Sequence, residues 1–134
     1  MRERFVPLKR SKTNHLLCKA KINGLSAILL LDTGASNSCI HWNLKDHYQL
    51  ESKGDPFDAA SASQDKLKAM ATKKSRLQLG MHAVGAFSFV LLDLNHVNQT
   101  LASQGCKPID GILGADFFTK NKSILDYATR KLWL

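Results

Sequence analysis

An apolar run that leads directly into an acid and a glycine constrains this chain more than any other feature. Residues 27–31 read Ala-Ile-Leu-Leu-Leu, and Asp32-Thr33-Gly34 follow at once. Such a run is typical of a strand buried on both faces, so we expect Asp32 to begin near the core, where a carboxylate needs a partner. Gly34 lets the backbone turn sharply. These residues alone leave Asp32 as either a functional carboxylate or an ordinary turn residue.

A second glycine-containing apolar stretch lies near the end of the chain. Residues 109–118 read Ile-Asp-Gly-Ile-Leu-Gly-Ala-Asp-Phe-Phe. A helix is expected to begin at Gly114, which places Asp116 near the positive end of the helix dipole. We therefore interpret Asp116 as a structural residue.

Together, the two stretches carry a family resemblance. Asp-Thr-Gly-Ala-Ser at 32–36, followed by Gly-Ile-Leu-Gly-Ala-Asp-Phe at 111–117, resembles the retropepsin-like aspartic proteases, in particular their bacterial and cellular members. The resemblance covers residues 16–134. It implies a mainly β fold, a closed acid-protease β-barrel with one or two short helices, and a domain spanning 15–134 after a basic arm at 1–14.

The resemblance also implies an aspartic endopeptidase that works as a homodimer on protein or peptide substrates. Pepsin-like enzymes carry two Asp-Thr-Gly motifs in one long chain, whereas this chain has one, so each chain would supply half of an active site. Two carboxylates that share a proton can both activate water and protonate the substrate carbonyl. Asp32 would be the catalytic residue, paired with Asp32 of a second chain.

The neighbouring residues receive supporting roles by the same resemblance. Thr33 would brace the paired loops across the two-fold axis, although ordinary turn packing is the alternative. Gly34 would offer its carbonyl or amide to the substrate backbone, and Ala35 would support the site. Asp110 and Ile112 would lie beside the catalytic carboxylates as part of the substrate-binding wall.

A flap over the substrate is the remaining part that the resemblance implies. It would lie at about 59–64, and its substrate-binding residues would be Ala60, Ser61, Ala62 and Ser63. Retroviral flaps are rich in glycine, but this chain has no glycine between Gly54 and Gly80. This departure supports an alternative function, a dimeric peptide-binding or assembly module that keeps the fold without useful turnover.

Two further positions depart from the retroviral pattern. Retroviral enzymes usually carry Asp at the position of Ser36 and Arg at that of Ala115. This chain therefore lacks their stabilising ion pair as a unit, which concerns stability and substrate contacts rather than the catalytic carboxylates.

Length and composition argue against several other classes of protein, membrane-spanning proteins among them. A chain of 134 residues with 44% apolar residues is expected to form one globular domain, and its apolar runs are too short to span a membrane. The start has no apolar signal region, so we expect a soluble protein without a secretory signal, a pattern that favours the cytoplasm.

The net charge of +8 is concentrated at the start, where residues 1–21 hold seven Lys or Arg against one Glu. A basic segment can bind nucleic acid, but without aromatic interleaving or a known motif we expect a solvated, partly disordered arm and no nucleic-acid partner.

Cysteine and histidine spacing indicates no cofactor. Cys18, Cys39 and Cys106 are odd in number and lack Cys-x-x-Cys spacing, which argues against a disulfide framework or a zinc site. The five histidines show no metal-binding pattern. We therefore predict no metal site, no cofactor, and free thiols that lie mainly in the core.

Local patterns predict the remaining elements. A hairpin over 16–31 turns at Asn23-Gly24, the strongest short hairpin signal. Further predictions follow in chain order: a short helix at 43–49, strands at 67–79 and 86–94 joined by a turn at 80–85, a helix at 96–103 capped by Asn95 and ended by Gly105, and a last hairpin from 124–127 and 131–134.

The last strand has two possible partners. Leu132, Trp133 and Leu134 are apolar residues at a chain end. They form either part of a dimer interface or a strand that packs on the sheet of its own subunit.

Overall fold

The structure, a computed structural model, is mainly β with two α-helices in residues 2–59 and 67–134, the part of the chain that it describes. The strands are β1 Phe5–Pro7, β2 Lys9–Arg10, β3 Leu16–Ile22, β4 Leu25–Leu31, β5 Cys39–His41, β6 Ser52–Ala59, β7 Leu67–Thr72, β8 Ser75–Leu79, β9 His82–Phe87, β10 Val90–Leu92, β11 Gly111–Leu113, β12 Ile124–Asp126 and β13 Lys131–Trp133. The helices are α1 Asn95–Ser103 and α2 Ala115–Asn121. The predicted fold class is confirmed. No helix in the described ranges is long and apolar enough to cross a membrane.

The hairpin of β3 and β4 confirms the prediction from Asn23-Gly24. The strands pair in antiparallel register from Leu16 with Leu31 to Ile22 with Leu25. Asn23 and Gly24 have φ values of 50° and 82°, as a two-residue hairpin turn with positive φ at both positions requires. This local hairpin fixes the strand that leads into Asp32.

A larger sheet places the two motifs side by side. Its strand order is β6-β7-β10-β5-β11-β4-β3-β8-β9, with β2 paired to β3. Strand β11 runs parallel to β4, with Ile112 opposite Leu30, and antiparallel to β5. Within the described ranges, β6 and β9 are the two ends of this order, and closure into a barrel stays a prediction.

The first residues belong to the fold, contrary to the expected solvated arm. Strand β1 pairs with β13, which also pairs with β12, so that β13 is the middle strand of a three-stranded sheet. Val6 and Leu132 are buried in this sheet, and the rings of Phe5 and Trp133 lie 5.1 Å apart. The high charge of this segment outweighed its one short apolar run, Phe5-Val6-Pro7-Leu8, when the arm was predicted. The domain boundary at residue 15 stays a prediction.

The three-stranded sheet also shows where the C-terminal strand packs within this chain. Within this chain, β13 packs on its own subunit, as the second possibility stated. Its presence in a dimer interface stays a prediction.

Several local predictions needed correction. The short helix expected at 43–49 is a 3₁₀ turn over Trp42–Leu44 followed by turns. Gln49, the last residue of the expected helix, adopts a φ of 56°, which a right-handed helix does not accommodate. The turn expected at 80–85 is only the two residues Gly80-Met81, because His82 already pairs with Leu79 and begins β9; Gly85 lies at a bulge within that strand. Lys73 and Lys74 divide the strand expected at 67–79 into β7 and β8.

The two helices agree with their predicted positions, except at one cap. Helix α1 begins at Asn95 itself, and the Asp93 carboxylate accepts the Asn95 N–H at 2.8 Å. Gly105, with a φ of 76°, follows its end. The main core lies on one side of the large sheet, and a second apolar cluster lies beneath α1 on the other side.

Candidate active site

Asp32 lies at the end of β4, in a loop here called the Asp32 loop (residues 32–37). Its backbone N–H donates to the Leu113 carbonyl at 2.9 Å, so the pairing with β11 continues through Asp32. Its carboxylate accepts the Gly34 N–H at 2.9 Å, and its carbonyl accepts the Ala35 N–H at 3.1 Å. The Gly34 bond holds the carboxylate, and the two main-chain bonds fix the start of the loop at the end of a strand inside the sheet.

The loop is exposed in the single chain. Leu31 is buried, but Asp32, Thr33 and Gly34 are all exposed. The expectation that Asp32 begins near the core was therefore wrong, because the buried strand ends one residue earlier. An exposed carboxylate on an ordered loop is available to a substrate or to a second protein chain.

The second motif packs directly against the Asp32 loop. The Ala115 N–H donates to the Ala35 carbonyl at 2.7 Å. A Cβ atom at Gly114 would lie 2.6 Å from the same carbonyl oxygen, a distance that real Cβ atoms essentially never show. Glycine at 114 therefore lets α2 begin against the loop, and the Ala35 main chain ties the loop to α2. An active-site role of Ala35 stays a prediction.

A buried hydrogen-bond network joins the two motifs. The Ser38 hydroxyl donates to the Asp116 carboxylate at 2.7 Å and accepts the Gly114 N–H at 2.9 Å. The same carboxylate oxygen accepts the N–H groups of Ser38 and Phe117. The structural role predicted for Asp116 is confirmed. The network braces the Asp32 loop, which contains Ser36, one of the two positions at which this chain lacks the retroviral ion pair.

Ser38 is the residue of this network that sequence reasoning missed. No pattern in the sequence couples Ser38 to a carboxylate that lies 78 residues away. The one available signal was the position of Ser38 directly before the apolar pair Cys39-Ile40, where a hydroxyl that becomes buried needs a partner.

Asp110 has a structural role in its own chain. Its carboxylate accepts the Ile28 N–H at 2.8 Å, and its own N–H donates to the Ile28 carbonyl at 2.9 Å. These bonds attach the chain before β11 to the middle of β4. Ile112 is half-buried beside Leu30. Substrate contacts of Asp110 and Ile112 stay predictions.

The expected flap falls between two paired strands. Strands β6 and β7 pair up to Ala59 and Leu67, whereas Ala60, Ser61, Ala62 and Ser63 lie outside the described residues. Strand β6 is largely exposed, and Phe57 keeps 44% of its surface accessible. In the sequence, the predicted flap residues therefore lie between two strands that pair with each other.

Cys39 is the nucleophilic side chain to consider beside the loop. Burial, with smaller contributions from the negative charges of Asp116 and Asp32, raises its pKa from 9.0 to about 12. A buried thiol that keeps its proton is a poor nucleophile. Cys39 is therefore not a candidate nucleophile.

The sequence profile of the aspartyl protease family matches residues 18–117, which contain the Asp32 loop and the segment that packs on it. The chain belongs to the aspartyl protease family. A search of curated proteins finds no significant match.

Solved structures share the fold of this aspartyl protease family member. A retropepsin-like aspartic protease from Rickettsia conorii is 14% identical, with a TM-score of 0.65 and coverage of 98% of this chain and 99% of the other. The retroviral protease-like domain of Ddi1 from Leishmania major is 14% identical, with a TM-score of 0.58 and coverage of 84% and 81%. The EIAV protease, solved with the inhibitor HBY-793, is 17% identical, with a TM-score of 0.55 and coverage of 88% and 93%. These likenesses confirm the retropepsin-like fold.

Proposed function

We propose that this protein is an aspartic endopeptidase that acts as a homodimer, with one Asp32 carboxylate from each chain. The observation that carries the proposal is the exposed, ordered Asp32 loop, present once per chain on a retropepsin-like scaffold. Two such loops that meet across a two-fold axis bring two carboxylates together, because a two-fold interface apposes the same surface of both copies.

The paired carboxylates perform complementary steps. One carboxylate takes a proton from water, which then attacks the substrate carbonyl carbon, and the other donates a proton to the carbonyl oxygen. When the C–N bond of this intermediate breaks, the first carboxyl gives its proton to the leaving amine, and the second carboxylate takes back the hydroxyl proton as the carbonyl re-forms. Each Gly34 N–H holds one oxygen of its Asp32 carboxylate, which leaves the second oxygen for the shared proton and the water. Activity should form a bell on the acidic side of neutral pH, because one carboxylate must be charged and the other protonated.

The Asp32→Asn variant tests the mechanism. It should keep the fold and the dimer but lose cleavage of a peptide library, since an amide can neither take nor supply the shared proton. The matched control is Asp46→Asn, which alters a fully exposed acid in the turn after β5 and should leave cleavage unchanged. Cleavage that survives in Asp32→Asn removes Asp32 from the mechanism.

A second function is a dimeric peptide-binding or assembly module without useful turnover. The absence of glycine between Gly54 and Gly80 favours it, because a hairpin that must open and close over a substrate benefits from glycine freedom. A wild-type protein that binds a statine-type peptide analogue but cleaves no library peptide across the acidic range would support this second function.

A further inference from the structure

The two faces of β4 have different surroundings. Ala27, Leu29 and Leu31 point into the main core. Because side chains alternate along a strand, Ile28 and Leu30 point to the opposite face. The Asp32 N–H continues the pairing with β11, so the backbone stays extended and Asp32 leaves the strand on the face of Leu30. Leu30 is therefore the nearest side chain on the Asp32 face of this strand.

The chain's own helix covers that face. Leu30 and Leu101 are each 4% exposed and Ile109 is 2% exposed, and these three form one buried cluster. Ile112, directly opposite Leu30 on β11, packs at its edge. Helix α1 thus contributes Leu101 to an apolar surface that begins next to the catalytic carboxylate.

The covering segment is fixed in place. The Asn98 side chain makes two hydrogen bonds to the backbone of Ile109, one accepting its N–H at 2.8 Å and one donating to its carbonyl at 3.2 Å. These bonds tie α1 to the chain that enters β11. Displacing Leu101 from this cluster would break these bonds or deform the helix, so a substrate side chain cannot readily take its place.

We propose that Leu101 fills the apolar space beside Asp32 and so selects substrates with small residues next to the scissile bond. The inference rests on the proposed endopeptidase function. A large apolar side chain would need the Leu30 surface, which is already buried in the cluster that contains Leu101, whereas alanine or glycine would need little of it. Specificity would then be set by a helix of this chain rather than by the flap.

The test is a set of peptides of one sequence that differ only in the residue on either side of the scissile bond, as alanine, valine, leucine or phenylalanine. The wild-type enzyme should give the highest kcat/KM with alanine. Leu101→Ala should open the space and raise the leucine-to-alanine ratio of kcat/KM by about tenfold or more, the scale on which an apolar pocket discriminates side-chain size. Leu101→Val, a smaller deletion, covers the case in which Leu101→Ala does not fold, and should shift the preference toward valine.

The matched control is Leu50→Ala. Leu50 is also 4% exposed, but it lies in the main core, so this variant loses stability without opening the Asp32 face and should keep the wild-type preference. Wild-type preference for leucine or phenylalanine, or an unchanged ratio in a folded Leu101 variant, overturns the inference while the proposed function stands. Absence of cleavage by the wild type and every folded variant overturns the proposed function and, with it, the substrate assignment.

Discussion

Ser38→Ala should destabilise the protein strongly, although it removes a single oxygen atom. The Ser38 side chain is fully buried, and its hydroxyl joins the Asp116 carboxylate to the Gly114 N–H. A hydrogen bond to a charged group contributes roughly 1.5–3 kcal/mol, and a buried N–H left without a partner costs roughly 1–3 kcal/mol. Because these contributions are not fully additive, we expect a loss of about 3 kcal/mol in the free energy of unfolding, or about 10 °C in Tm.

Urea unfolding, followed by the fluorescence of Trp42 and Trp133, measures this loss. Protein concentration must be held constant, because dimer formation contributes to apparent stability. The control is Ser103→Ala, which removes an exposed hydroxyl that donates to the Thr100 carbonyl at 2.7 Å and should cost less than about 0.5 kcal/mol. Equal losses in the free energy of unfolding of the two variants would refute the claim that this network braces the Asp32 loop.

A double-mutant cycle locates the effect. Asp116→Ala combined with Ser38→Ala should show a coupling energy of at least about 1 kcal/mol, because the two side chains act through one hydrogen bond. Additive losses would mean that Ser38 stabilises the fold by another route.

Three further predictions concern assembly, the C-terminal strand and the thiols. Specific activity should fall on dilution below the dimer dissociation constant, and a tandem fusion of two copies should resist this fall. A protein that light scattering shows to be a monomer, and that still cleaves at the full rate, would contradict the shared site. Deletion of residues 132–134 should unfold the protein rather than only dissociate the dimer, because Leu132 is buried between β1 and β12. A deletion variant that stays folded by circular dichroism would contradict this prediction. Burial raises the pKa of the Cys18 thiol from 9.0 to about 12, so the folded state holds a proton that the unfolded chain releases, and stability should decline as pH rises from about 9 toward 12. Cys18→Ala should make that decline shallower in urea titrations, and an unchanged slope would argue against thiol burial.

Sequence reasoning succeeded where the signal is local. Asn23-Gly24 between two alternating strands specifies a hairpin and its register, and Gly105 marks the end of α1. The two motifs were also sufficient for the family, since each motif depends on contiguous residues.

It failed where tertiary contacts decide the outcome. The basic start was interpreted as an arm because its charge outweighs its few apolar residues, yet pairing with β13 buries Val6. The Ser38–Asp116 bond and the buried cluster that contains Leu30 and Leu101 join positions 78 and 71 residues apart. Such pairs leave no periodicity in a single sequence.

A subunit-mixing assay tests most directly the claim that two Asp32 residues from different chains form one active site. Wild-type protein is mixed with increasing amounts of Asp32→Asn protein and allowed to exchange subunits, and cleavage is measured at constant wild-type concentration. A mixed dimer contains only one of the two catalytic carboxylates and should be inactive. In an equal mixture, random pairing gives about half of the wild-type chains a wild-type partner, so activity per wild-type chain should fall to about half. Activity that stays constant while mixed dimers are shown to form would contradict the shared active site.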